Sequence, residues 1–178
     1  MKTRLVTRRS TGRDRAAATG PWAAYTLTAA ACTAAAAAGA RAVDPGSGWY
    51  RGLSKPRWQP PPRTFGLVWT PLYAGIAWAG GRALRRVGGR PRNALIASLA
   101  VNLALNTAWS WMFFGLRSPE AGLAGTVLLD ISNAELIRRV ARTDPPAAAA
   151  LAPYALWCCF ATVLNADIAR RNQNAEPR

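Results

Sequence analysis

The chain of 178 residues contains no histidine and only eight acidic residues, against 23 Lys and Arg. Without histidine it lacks the commonest metal ligand, the commonest general base and the usual axial ligand of haem. Its serines lack a neighbouring residue suited to act as a general base, and no two carboxylates are spaced for acid–base chemistry. The residues therefore give acid–base or nucleophilic catalysis little support, and they predict no metal site and no bound cofactor.

Cysteine is also scarce, with Cys32, Cys158 and Cys159 all lying inside apolar runs. There is no CxxC spacing, and adjacent cysteines rarely pair with each other. No cation lies nearby in the sequence to activate a thiol. These residues indicate buried, inert thiols rather than a disulfide framework or a metal centre.

Charge is missing from four long stretches, residues 16–40, 64–81, 93–116 and 145–166. A helix that crosses a bilayer needs about 20 mostly apolar residues. Each stretch is long enough or nearly so, whereas a soluble protein of this size rarely has even one. The pattern predicts an all-α, multi-pass membrane protein.

We expect one bundle of five transmembrane helices over residues 21–172, with a basic disordered extension (1–20) before it and a polar tail (173–178) after it. The fourth span is the weakest, because Asp130 and Glu135 interrupt it. A carboxylate at the depth of Asp130 must face protein or water. An inward-facing, hydrogen-bonded Asp130 is favoured over a ligand-binding or proton-carrying one. The predicted spans are 21–40, 64–82, 93–116, 121–137 and 147–169.

The net charge of +15 comes from basic residues in the gaps between the apolar runs. Membrane proteins keep such residues for orientation and for anionic headgroups, and no nucleic-acid-binding motif accompanies them. More of them fall on the side of the N-terminus, which predicts a cytoplasmic N-terminus. A signal peptide cleaved near Ala40 is the alternative interpretation of the alanine-rich first run.

Residues 43–63 contain five prolines and cannot form one regular helix. They also carry Trp49, Tyr50 and Trp58, and are too apolar for a free linker. The segment predicts a short helix that lies on the membrane face and covers one end of the bundle.

Polar and aromatic side chains recur at helical spacing on three predicted spans. An asparagine inside a span must find a partner, so these faces should point into the bundle. Any one of them has a purely structural interpretation, but together they predict a cavity for a flat aromatic ligand. The residues are Trp69 and Tyr73; Asn102, Asn106 and Trp109; and Tyr154, Trp157 or Cys158, Ala161 and Asn165.

Five motifs, in this order and spacing, resemble the signature of the TspO/translocator protein family, the tryptophan-rich sensory proteins related to the peripheral benzodiazepine receptor. They are Trp49-Tyr50; Lys55-Pro56-x-Trp58-x-Pro60-Pro61; Phe65-Gly66-x-Val68-Trp69-x-x-Leu72-Tyr73; Asn102-x-x-Leu105-Asn106-x-x-Trp109-Ser110; and Pro153-Tyr154-x-x-Trp157.

The resemblance implies a five-helix bundle around a ligand cavity, often as a homodimer, in this case in a bacterial cell membrane. It implies a receptor or sensor for tetrapyrroles such as protoporphyrin IX that regulates tetrapyrrole or stress metabolism. Transport of tetrapyrroles or lipids is one alternative. Light-dependent porphyrin breakdown at Trp69 and Trp157 is the other, and the only enzymatic activity implied. The pocket positions implied are Tyr50, Trp69, Tyr73, Asn106, Trp109, Trp157 and Ala161.

Two departures from the family pattern bear on ligand and mechanism. Ala166 and Asp167 stand where animal members carry aromatic residues of a cholesterol motif, which argues against sterol recognition. Gly125 stands where many members have an acidic residue, and Asp130 follows five positions later.

Overall fold

A computed structural model describes residues 22–173, which form helices and turns and no strand. The all-helical prediction is confirmed for this part of the chain. The predicted extension 1–20 and the tail beyond Gln173 lie outside the described residues. The described part of the chain contains five long α-helices and two short ones: α1 (Ala23–Ala40), α2 (Gly48–Gly52), α3 (Pro62–Leu84), α4 (Gly89–Ser110), α5 (Pro119–Ala141), α6 (Pro145–Ala150) and α7 (Ala152–Asn172).

Among residues 22–173, three helical segments are long and apolar enough to cross a membrane: Ala23–Ala40, Gly89–Gly115 and Pro145–Asn172. Helices α3 and α5 have comparable lengths but lower hydropathy. In α3 the apolar run is diluted by Trp, Tyr, Gly and Pro, and in α5 it is interrupted by Asp130 and Glu135. Both pack along the apolar helices, α3 on α1 and α5 on α4 and α7.

Two predicted spans are less regular than expected. Helix α4 ends in a π-helical turn, Trp111–Gly115, which carries Phe113 into the interior. The fifth span is divided at Leu151 into α6 and α7. Pro153 explains this break, because proline has no N–H to donate and clashes with the preceding helical turn.

Helices α1 and α3 approach closely because small residues line their contact. A Cβ added to Gly81 would lie 2.5 Å from Cδ1 of Tyr25 and 2.9 Å from its Cα. One turn away, the Thr28 hydroxyl donates a hydrogen bond of 2.7 Å to the carbonyl of Ala77. Small residues and interhelical hydrogen bonds of this kind are typical of helix contacts in membranes.

Asp144 ties the end of α3 to the turn between α5 and α6. Its carboxylate is fully buried, and Oδ2 lies 2.8 Å from Nε of Arg82 and 3.0 Å from Nε of Arg86. Oδ1 accepts a hydrogen bond from the backbone N–H of Ala147 and so caps α6. The carboxylate is therefore buried with its charge paired, as burial of an ion requires.

Replacing Gly122 by alanine should destabilise the bundle. The new Cβ would lie 2.5 Å from Cδ2 of Phe113 and 3.0 Å from Oδ1 of Asn165, so both must shift. Overpacking of this kind costs about 1–3 kcal/mol. The free energy of unfolding, measured by denaturant titration in detergent micelles, checks this.

Gly66→Ala is the matched control. Gly66 lies inside α3, and a Cβ there would meet nothing within 4 Å. Alanine should stabilise this position by about 0.5–1 kcal/mol, because glycine is a poor helix former. Equal shifts of the same sign in the two variants would contradict the packing described for Gly122.

Candidate functional site

A small cavity lies inside the bundle between α3, α4, α5 and α7. It has a volume of about 40 Å³. Its wall is mostly aromatic and aliphatic, with a few amide, hydroxyl and thiol groups. The lining residues are Phe65, Trp69, Asn106, Trp109, Thr126, Leu129, Trp157, Cys158, Ala161, Leu164 and Asn165.

Five of the seven pocket positions expected from the sequence line this cavity, namely Trp69, Asn106, Trp109, Trp157 and Ala161. The structure therefore brings the three polar–aromatic faces of the sequence together around one space. Tyr73 lies behind the wall, packed against Trp69 with ring centroids 5.4 Å apart. Tyr50 lies in the loop above the cavity rather than in its wall.

The tryptophans are held in place by neighbouring rings. Trp157 stacks on Phe160 with centroids 5.1 Å apart and meets the edge of Phe65 at 5.8 Å. Trp109 stacks on Phe113 at 5.9 Å. Such ring pairs contribute about 0.5–1.5 kcal/mol beyond the area that they bury. The cavity therefore has walls of fixed orientation.

A chain of hydrogen bonds runs through the core behind the cavity. Tyr73 donates to Oδ1 of Asn106 at 2.7 Å, and Nδ2 of Asn106 donates to the hydroxyl of Tyr154 at 3.2 Å. Tyr154 donates in turn to Oδ1 of Asn102 at 3.0 Å. Nδ2 of Asn102 donates to Oδ1 of Asn133 at 2.7 Å. Both ends of the Asn106 amide are thus occupied, and its orientation is fixed.

Two buried polar atoms on cavity-lining residues have no hydrogen-bond partner among residues 22–173. They are the indole N–H of Trp109 and Oδ1 of Asn165. Nδ2 of Asn165 donates to the carbonyl of Ala161 at 2.8 Å, which fixes the direction of Oδ1. Buried polar groups are normally paired, since an unpaired one costs about 1–3 kcal/mol. The residues around the cavity therefore hold one hydrogen-bond donor and one acceptor that a ligand could pair.

Six lining residues are not among the pocket positions expected from the sequence. Two of them, Asn165 and Cys158, lie on the predicted polar face of the last helix, four residues after and three before Ala161. Phe65 and Leu164 are similarly one helical turn from selected residues. Thr126 and Leu129 come from α5, which carries no aromatic face that would have marked them.

Asp130 on α5 faces protein. The hydroxyl of Thr162 donates to its Oδ2 at 2.6 Å, while its buried Oδ1 has no hydrogen-bond partner within residues 22–173. The inward, hydrogen-bonded placement expected for this carboxylate is therefore confirmed. Within the described part of the chain, no group of His, Cys, Asp and Glu is arranged to hold a metal ion.

The loop from 43 to 61, which contains α2, covers the end of the bundle next to the cavity; we call it the lid. Trp49 meets the edge of Phe113 at 5.5 Å, Tyr50 lies 5.4 Å from Phe114, and Trp58 meets Phe160 at 5.8 Å.

The side chain of Asn172, at the end of α7, forms hydrogen bonds with the backbone of the lid. The N–H of Ser54 donates to Oδ1 of Asn172 at 3.0 Å, and Nδ2 of Asn172 donates to the carbonyl of Ser54 at 3.0 Å. We call this pair the Asn172 latch. It is electrically neutral and exposed to the surface.

Partial burial of lid side chains changes two ionisation equilibria. It raises the pKa of the Tyr50 hydroxyl, which the hydrogen bond from Gln59 partly offsets. It lowers the pKa of Lys55, whose ammonium group lies 4.4 Å from the centre of the Tyr50 ring. The lid is therefore partly desolvated and contacts the bundle with its aromatic side.

Tyr154→Phe should destabilise the bundle by about 1–2 kcal/mol, since hydrogen bonds between membrane helices contribute about 0.6 kcal/mol each on average. The change leaves Nδ2 of Asn106 and Oδ1 of Asn102 without their shared partner. Thermal unfolding in detergent checks the loss. Tyr50→Phe is the control: its half-buried hydroxyl accepts only from Gln59 in the described residues, and its loss should cost about 0.5 kcal/mol. Equal losses of stability in the two variants would contradict a larger contribution from the buried chain of hydrogen bonds.

Comparison with known proteins agrees with this architecture. The TspO/MBR family model matches residues 24–171. The tryptophan-rich protein TspO of Chlorobaculum tepidum is 39% identical over 133 residues, 72% of this chain and 82% of the relative. The tryptophan-rich sensory protein of Cereibacter sphaeroides is 34% identical, over 86% of this chain and 94% of its own. The translocator protein of Homo sapiens is 38% identical, over 70% of this chain and 75% of its own. The chain therefore belongs to the TspO/MBR family of membrane proteins.

Proposed function

We propose that the chain is a membrane receptor or sensor that binds a porphyrin-type ligand in the cavity and regulates tetrapyrrole or stress metabolism. All five long helices cross the membrane in this proposal, with the N-terminus in the cytoplasm of a bacterial cell and two chains forming a homodimer. The observation that supports it most is the cavity wall itself. Three tryptophans, Trp69, Trp109 and Trp157, surround one space together with an unpartnered donor and an unpartnered acceptor.

The chemistry of a porphyrin suits this wall. Its flat ring would stack on the indoles, and its inner N–H groups and carboxylates provide both a donor and acceptors. Oδ1 of Asn165 could accept from the ring, and the indole N–H of Trp109 could donate to an oxygen or nitrogen. Basic residues of the lid region would meet the carboxylates at the rim. These are Arg51, Lys55, Arg57 and Arg63.

Size requires a conformational step before binding. The cavity holds about 40 Å³, whereas pockets for drug-sized ligands have about 300–1,000 Å³. Few contacts join the lid to the bundle, namely ring contacts and the Asn172 latch. We therefore place the route of ligand uptake under the lid, with Phe113 and Phe160 separating from Trp49 and Trp58.

The double variant Trp69→Phe with Trp157→Phe should weaken protoporphyrin IX binding about tenfold, since two ring contacts of about 0.5–1.5 kcal/mol are reduced. The shift of the porphyrin absorption band on titration in the dark measures the affinity. Trp22→Phe with Trp111→Phe is the control, because both residues are exposed outside the cavity. An unchanged affinity in the cavity variant would exclude this cavity as the binding site.

The same samples under illumination test the enzymatic alternative. A new absorbing product that forms only with protein and oxygen, and not with the cavity variant, would favour light-dependent porphyrin breakdown. Persistence of the porphyrin spectrum in the wild-type protein would favour binding without chemistry.

Asn172→Ala should raise the association rate constant for protoporphyrin IX about fivefold. The variant removes both bonds of the latch, about 1 kcal/mol together at an exposed position, and the fraction of open molecules rises accordingly. Stopped-flow absorption measures the rate. Asn93→Ala, at the exposed start of α4, is the control and should bind at the wild-type rate. A rate that Asn172→Ala leaves unchanged would mean that ligand does not pass under the lid.

Transport across the bilayer is the second candidate function, and Asp130 is the observation that favours it. One buried oxygen of this carboxylate has no partner within residues 22–173, and ionisable groups inside membrane helices often mark transport pathways. Porphyrin flux into sealed vesicles that Asp130→Asn abolishes would support transport. Binding with no flux in the wild-type protein would exclude it.

A further inference from the structure

A second cavity opens at the end of the bundle opposite to the lid. It has a volume of about 240 Å³ and lies at the surface. Tyr25 from the first turn of α1 forms one side, and Arg82, Arg85 and Arg86 from the end of α3 form the other. Arg85 and Arg86 follow Arg82 by three and four residues, directly after the last residue of α3, so all three lie at the same end of the helix. We call this the arginine cavity.

The walls of the arginine cavity are held by the packing of α1 on α3. Tyr25 rests directly on Gly81, where no side chain larger than hydrogen would fit without a shift. The hydrogen bond from Thr28 to Ala77 fixes the same pair of helices one turn further in. The guanidinium of Arg85 lies 5.6 Å from the centre of the Tyr25 ring. The cavity is therefore preformed, which reduces the entropic cost of binding a ligand.

The charge of the arginine cavity is strongly positive. Arg82 and Arg86 share the single carboxylate of Asp144, which is fully buried behind them. Arg85 forms no ion pair within residues 22–173. The cavity thus has three guanidinium groups and one carboxylate, which leaves two positive charges uncompensated. The C-terminus of α3 offsets only about half a charge of this excess.

Aromatic residues place the cavity at the depth of lipid headgroups. Trp78 lies one turn below Arg82, about 6 Å further along the helix axis. It is 43% exposed, and its ring lies 5.3 Å from the guanidinium of Arg82. Trp22, directly before α1, is 71% exposed, and its ring lies 5.9 Å from that of Tyr25. Exposed tryptophans of membrane proteins concentrate at the headgroup level.

We propose that the arginine cavity binds the phosphate headgroup of an anionic membrane lipid. Guanidinium groups present paired N–H donors that match phosphate oxygens. A lipid is favoured over free phosphate because apolar surface continues directly below the cavity. Trp78, which is 43% exposed, lies one turn from Arg82 toward the middle of the bundle, where an acyl chain of a lipid would run.

The test uses the full chain in nanodiscs of phosphatidylcholine that contain a minor fraction of phosphatidylglycerol. Native mass spectrometry counts the phosphatidylglycerol molecules that stay bound as the bilayer is removed. Arg85→Gln should reduce phosphatidylglycerol retention about tenfold, as expected for the loss of a charge-assisted hydrogen bond. Arg85 is chosen because it takes no part in the Asp144 ion pairs, so the fold stays intact. Arg85→Lys, which keeps the charge but not the paired donors, should give an intermediate loss.

Arg90→Gln is the matched control: Arg90 is exposed at the start of α4 and does not line the cavity. It should retain phosphatidylglycerol as the wild type does. Equal losses in Arg85→Gln and Arg90→Gln would assign the binding to diffuse surface charge and overturn the proposal. So would unchanged retention in Arg85→Gln.

Inorganic phosphate separates the two possible sources of the anion. Added to the phosphatidylglycerol nanodiscs at millimolar concentration, it should leave the bound lipid in place. Displacement of the lipid by inorganic phosphate would identify a site for a soluble anion and overturn the lipid assignment. Porphyrin binding by Arg85→Gln should be that of the wild type, because the arginine cavity lies at the other end of the bundle, so the proposal stands or falls separately from the porphyrin receptor.

Discussion

Hydrogen bonds between the asparagines and tyrosines inside the apolar bundle determine how its helices are arranged. Asn102 and Asn106 on α4 are satisfied only because Tyr73, Asn133 and Tyr154 come from three other helices. Apolar packing alone specifies register weakly, since one leucine replaces another at little cost. A chain of directed bonds has few alternative arrangements. The cavity therefore owes the position of its walls to a network that lies mostly behind them.

The helices and the inward faces were predictable because both depend on local sequence. Hydropathy along 93–116 predicts a helix, and the spacing of Asn106 and Trp109 predicts one face of it. What the sequence did not show are contacts between distant positions. Ser54 and Asn172 are 118 residues apart and meet only in the folded chain. Packing likewise decides that no group from another helix reaches Oδ1 of Asn165, which has no hydrogen-bond partner within residues 22–173. Pro153 causes the break at Leu151. It lies near the start of a long apolar run, and such a run by itself predicts one continuous span.

Close packing at glycine connects the lid with the interior. Gly122 on α5 leaves room for Phe113, which the π-helical turn after α4 carries inward. Phe113 in turn supports Trp49 of the lid from one side and Trp109 of the cavity wall from the other. A single ring thus contacts both the lid and the cavity wall. A displacement of the lid must be felt at Trp109, because close-packed interiors transmit strain.

The two ends of the bundle are closed by different forces. At the lid the latch is a neutral amide that bonds to a backbone, whereas at the other end a buried carboxylate holds two guanidinium groups. Dissolved salt screens charges that are near water but has little effect on a neutral amide bond. Asp144 is fully buried, so salt screens its ion pairs much less than it would screen them at the surface, and it acts only on the partly exposed Arg82 and Arg86. Rising ionic strength should therefore weaken the arginine end slightly and leave the lid unchanged. The two ends of the bundle therefore differ in how they respond to the surrounding solution.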